Sequence, residues 1–99
     1  MNAHNQHVMN QLSDLASRVA TVDRSDPGQL PQIRERLKVM RANADNGDDD
    51  GDRAFNHRFS DKLLQCVTCF EHDTPIAPEL LQSVAALDKE AITRIRAGA

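Results

Sequence analysis

Val8-Met9-Asn10-Gln11-Leu12-Ser13-Asp14-Leu15-Ala16-Ser17-Arg18-Val19-Ala20-Thr21-Val22 is the stretch that decides the fold. Its apolar residues Val8, Leu12, Leu15, Val19 and Val22 recur at intervals of four, three, four and three. That spacing aligns them on one face of an α-helix. Met9 and Ala16 widen the seam to about three-sevenths of the helix surface, which suits a bundle better than a two-stranded zipper. A helix this short is marginal in water, so docking of the stripe is what makes it helical.

Asp23-Arg24-Ser25-Asp26-Pro27-Gly28 then stops the chain and restarts it. Asp26, Pro27 and Gln29 offer one helix opening, as cap, first-turn proline and capping-box partner. A start at Pro31 is preferred, because a proline beyond the first turn clashes with the turn before it. Leu30, Ile33, Leu37, Met40 and Ala44 form a second seam, with Arg34, Arg36 and Arg41 beside it and Lys38 further round. Asp45-Asn46-Gly47-Asp48-Asp49-Asp50-Gly51-Asp52 holds five carboxylates and two glycines in eight residues. Carboxylates oppose the dipole at a helix C-terminus and Asn-Gly favours a turn, so a flexible acidic loop is expected over residues 45–53.

A third helix is expected over residues 54–72, with Phe55, Phe59, Leu63, Cys66, Val67 and Phe70 on one face. Pro75 and Pro78 break it, and Pro78-Glu79 opens a fourth helix carrying Leu80, Leu81, Val84 and Leu87. A straight continuation to residue 97 would place Asp88 in the middle of the apolar face. The expectation is therefore a split, with Asp88 capping a last short helix and Leu87 and Ile92 forming its hydrophobic staple. The predicted fold is all-α: one domain over residues 1–99, a small four-helix bundle of antiparallel hairpins.

Composition narrows the function classes. Leu, Ile, Val and Phe supply only 22 residues, and twelve of the remaining apolar residues are alanine, so the core is small. A net charge of −3 creates no field that would draw the whole chain to nucleic acid or membrane. No run is long enough to cross a bilayer, and the opening residues lack the basic and apolar regions of a secretory signal, so a cytoplasmic location is expected.

Cys66-Val67-Thr68-Cys69-Phe70-Glu71-His72 is the sharpest motif. At about 100° per residue, Cys66 lies near the apolar stripe, Cys69 nearly 90° from its centre and His72 about 120° from Cys66, so the three cannot converge on one ion. Two thiols on one helix are two ligands short of a structural zinc site, and a thioredoxin-type pair wants its first cysteine at a helix N-terminus. One core thiol and one boundary thiol is the plainer expectation; a thiol- or metal-responsive sensor using Cys66 and Cys69 is the alternative. The acidic run resembles a calcium loop when Asn46 takes its first position, but His57 falls where a bidentate glutamate is needed. His4 and His7, near the chain start, read as exposed.

Arg34, Arg36, Lys38 and Arg41 invite a nucleic-acid reading, a second alternative. Glu35, the absence of neighbouring aromatics and the adjoining aspartates weigh against it. No nucleophile stands with an evident histidine and carboxylate, no cofactor fingerprint occurs, and a thin bundle offers little room for a pocket. No enzyme activity, metal or cofactor is therefore expected.

The first expectation for function is a protein-interaction module, whether regulatory adaptor, antiactivator or chaperone-like. Two seams of this size look too large for one thin core, so a second copy or a client helix should cover them. The expected homodimer face is Val8, Leu12, Leu15, Val19 and Val22 packed with Leu30, Ile33, Leu37 and Met40, the arginines at 34, 36 and 41 setting partner orientation.

Overall fold

A computed structural model describes residues 3–22, 27–46 and 50–98. They form four helices: α1 (Ala3–Ala20), α2 (Leu30–Ala44), α3 (Asp50–Glu71) and α4 (Pro78–Gly98), with a 3₁₀ turn at Pro27–Gln29 ahead of α2. No strand occurs among the described residues, and the helices pack against one another as a small four-helix bundle measuring 39 × 23 × 18 Å.

The two seams lie inside the bundle. Val8, Met9, Leu12, Leu15, Ala16 and Val19 of α1 are buried, as are Leu30, Ile33, Leu37, Met40 and Ala44 of α2. Their cover is Phe55, Phe59, Leu63, Cys66 and Val67 of α3 and Leu87 and Ala91 of α4, while Val22 packs against the edge of this core. The expectation that another polypeptide must shelter the seams is thereby corrected. The phenylalanines and a 22-residue α3 supply more covering surface than a count of aliphatic residues suggests. The large apolar side chains left outside are Val39, Leu81 and Ile92, at 40%, 51% and 40% exposure.

Helix boundaries follow local chemistry. Thr21 Oγ1 donates to the carbonyls of Ser17 and Arg18 where α1 ends. Pro31 stands in the first turn of α2, where a missing N–H leaves nothing unpaired. The alternative cap, Asp26, lies outside the described residues, as do residues 47–49 of the acidic run. Helix α3 begins at Asp50, four residues before the expected start, so the acidic segment is not loop throughout residues 45–53. The dipole argument that ends α2 there favours the same carboxylates at the N-terminus of α3. Asp52 is held further by an ion pair of 2.7 Å with Arg94 of α4.

At the far end of α3, Asp73 takes a left-handed backbone with φ of 51°. The Thr74 N–H then reaches the Cys69 carbonyl at 2.8 Å, the six-to-one closure that ends many helices. Helix α4 runs unbroken through Asp88, correcting the expected split. Asp88 sits on the flank of the apolar face, half-buried, and accepts a hydrogen bond of 2.7 Å from Ser13 Oγ of α1. With its carboxylate satisfied across the helix pair, it has no need to cap a new helix. The staple does not form either: Leu87 is buried and Ile92 points outward.

A polar layer crosses one end of the bundle. Asn5, Asn56 and Ser60 are fully buried, with Asn56 Nδ2 donating to the Asn5 carbonyl at 3.3 Å and Ser60 Oγ to the His57 carbonyl at 2.8 Å. His4 Nε2 lies 2.7 Å from the Asn43 carbonyl, tying the start of α1 to the end of α2.

Candidate functional site

The arginines expected to orient a partner are engaged within the fold. Arg34 holds Glu71 with both Nε and Nη2, Nε lying 2.9 and 3.1 Å from the two carboxylate oxygens, and Nη2 also donates to Thr68 Oγ1 at 2.8 Å. This contact raises the Arg34 pKa and holds the Glu71 carboxyl below its ordinary value. Arg36 donates to Gln11 Oε1 of α1 at 3.1 Å, and Arg41 to Asp61 Oδ1 of α3 at 2.5 Å. The three arginines bind α2 to its neighbours, so most of the basic appearance of α2 in the sequence is spent on internal acceptors, while Lys38 stays exposed.

Cys66 is buried in the core and Cys69 half-buried at its edge, and both thiols are free. Burial, helped by the neighbouring Cys69, pushes the Cys66 thiol pKa up, away from the reactive thiolate form. Among the described residues, no three His, Cys, Asp or Glu side chains gather closely enough to hold a metal ion.

The surface that does bring functional groups together is the outward face of α3. A cleft of about 600 Å³ runs over Arg53, His57, Arg58, Asp61 and Lys62, with Asp45 from the end of α2 at its rim. A second cleft of about 490 Å³ adjoins it, sharing Asp61 and Gln65, and is lined by Leu64, Cys69 and Leu80. Both are shallow and open to solvent, in keeping with the expectation that a thin bundle leaves little room for an enclosed pocket. From Arg53 to Cys69 the track covers sixteen residue steps, about 24 Å at 1.5 Å each.

Helical phase sorts this face. Arg58, Lys62, Gln65 and Cys69, at steps of four, three and four, form one straight outward stripe. Asp61 and His57 lie on the α2 side of it. Asp61 is occupied by Arg41 and lies 3.4 Å from His57 Nδ1, while Asp45 lies 3.8 Å from His57 Nε2. Asp61 is therefore paired with Arg41, whereas Asp45, 63% exposed, has only the more distant imidazole beside it. Arg58 has its guanidinium 5.8 Å from the centre of the Phe55 ring, which Arg94 also covers at 4.6 Å. Neither Arg58 nor Lys62 has a carboxylate partner among the described residues. The face thus carries two uncompensated cations at one end and an apolar floor with a thiol at the other.

Neither Arg58 nor Lys62 stood out in the sequence, because attention to the apolar phase of α3 passes over its polar phase. The signal was present as a four-residue cation pair aligned with Gln65 and Cys69. Leu80 joins them only through the turn that brings the start of α4 back beside α3. No protein-family model, characterised protein or solved structure matches this chain.

Proposed function

We propose that this chain is a small non-enzymatic protein-interaction module, of regulatory or adaptor type, whose docking surface is the outward face of α3. The observation that carries the reading is the pair of adjoining shallow depressions along that face, one lined mainly by charged side chains with Arg58 and Lys62 among them, the other largely apolar. A track of this shape and length matches one polypeptide segment better than a small molecule, which would be enclosed on more sides. The seam residues of α1 and α2 take a different part in this reading: they hold the platform rigid and do not meet the partner.

The test is site-specific photocrosslinking in native extract, with the photoreactive side chain at Gln65 on the proposed face and at Gln82, exposed on α4, as the control position. The expected result is a discrete crosslinked polypeptide from position 65, absent from position 82 and lost when Arg58→Glu and Lys62→Glu are introduced together. Equal labelling from both positions, or none from position 65, refutes the reading.

A further inference from the structure

We infer that the segment received by the α3 face is an acidic amphipathic helix, its carboxylates meeting Arg58 and Lys62 and its aliphatic side chains meeting Leu64, Leu80 and Cys69. The inference rests on the docking reading above and adds the chemistry of the partner.

Charge complementarity sets the first half. The chain as a whole is acidic, at −3, but on this face Asp61 is paired with Arg41, which leaves Asp45 at the rim against the two cations Arg58 and Lys62. What this face offers an incoming chain is therefore positive, carried by Arg58 and Lys62 one turn apart. An Arg whose guanidinium rests on an aromatic ring keeps its fork directed along the surface, ready for a carboxylate. A basic segment would be repelled, and a purely apolar one would leave both cations unanswered at the rim.

Backbone chemistry sets the second half. An extended peptide gains affinity by adding to a sheet edge, and every described element of this molecule is helical. The backbone groups along the middle of α3 are already used within the helix, so an extended chain would find no main-chain partners there. A helix arrives with its own backbone satisfied. The stripe Arg58, Lys62, Gln65 and Cys69, at steps of four, three and four, has the spacing of a seam along which a second helix can lie. From Arg58 to Cys69 it spans about 16 Å, or about three turns of a partner.

The probe is a synthetic helical peptide of about four turns, with glutamates in its first half and leucines on one face of its second half. Comparison peptides replace the glutamates with lysine, or the leucines with alanine. Binding is read by fluorescence anisotropy at low and high salt, and independently by protection of Cys69 from alkylation under native conditions. The acidic peptide should bind and shield Cys69, with affinity falling as salt rises. Both the lysine and alanine peptides should bind about tenfold more weakly or worse. The decisive arm is the double variant R58E/K62E, whose substitutions, at exposed Arg58 and half-buried Lys62, lie outside the core and whose fold is checked by circular dichroism. It should reverse the preference and bind the lysine peptide better than the acidic one.

Binding without charge preference, a preference unchanged in the double variant, or no binding of any peptide overturns the inference. If crosslinking from position 65 persists in those cases, docking on α3 stands and only the partner's chemistry is wrong. Self-association in sedimentation that is abolished by R58E/K62E also overturns it, because the occupant is then a second copy of this chain.

Discussion

Replacing Leu12 by alanine separates the two parts that the α1 seam can play. Leu12 is fully buried within the core, on a helix that packs against each of the other three. Leu→Ala at such a site costs about 2–5 kcal/mol, the spread reflecting how far the surroundings close over the cavity. The bundle is only 18 Å across in its thinnest direction, so its walls can move in, and the lower part of the range is expected, about 2–3 kcal/mol. For a domain of this size each kcal/mol is about 4–8 °C in Tm, giving a fall of about 10–20 °C. Against a total stability of about 5–15 kcal/mol the loss is large but leaves a folded protein. Leu81→Ala, on a side chain 51% exposed, should cost below about 1 kcal/mol. The assay is urea unfolding followed by far-UV circular dichroism at two widely separated protein concentrations. The Leu12→Ala loss should be the same at both. A midpoint close to that of the unsubstituted chain, or a loss that grows on dilution, would mean that the seam is sheltered by a second molecule, and the assignment of the core would fail.

Other consequences follow from individual contacts. Asp88→Ala should lower stability by about 1 kcal/mol through the lost Ser13 bond, without reducing helix content, since α4 does not depend on a cap at that position; a clear drop in ellipticity would contradict the continuous helix. Asp73→Gly should raise the free energy of unfolding by up to about 1 kcal/mol, because glycine takes the left-handed conformation more easily; destabilisation would show that the aspartate side chain outweighs the backbone strain. Glu71, whose carboxyl lies below its ordinary value of 4.5 because Arg34 binds its charged form, stabilises the fold above that pH and loses the effect as pH falls through its lowered folded value. The stability gap between the unsubstituted chain and Glu71→Gln should therefore be open at neutral pH and close in acid; a gap independent of pH would refute the pairing. Under native conditions, iodoacetamide should modify Cys69 before Cys66, which reacts only on unfolding, as peptide mass spectrometry can establish.

Much of the architecture was legible in periodicity. The intervals of the α1 and α2 seams, the late start of α2 around Pro31, the opening of α4 at Pro78 and the contrast between buried Cys66 and half-buried Cys69 all follow from 3.6 residues per turn and from what proline permits. Two boundaries were misjudged for one reason: a carboxylate looks like a helix breaker until its partner is known. Asp52 stays helical because Arg94, 42 residues later, meets it, and Asp88 because Ser13, 75 residues earlier, does. Neither partner can be found by counting along the chain.

The sequence alone determined which faces of the helices had to be covered, because the cost of leaving apolar side chains in water depends on composition and phase. It left open whether that cover came from the same molecule. Only the tertiary structure decided this, through the long-range packing of the α3 phenylalanines and the short apolar face of α4 onto the two seams. The same packing tied the arginines of α2 to Gln11, Asp61 and Glu71 and, among the described residues, left Arg58 and Lys62 without carboxylate partners. The physical reason is that charge, unlike hydrophobicity, is judged against its neighbours in space, so a cation's availability becomes visible only once folding has set acids from distant parts of the chain beside it or away from it.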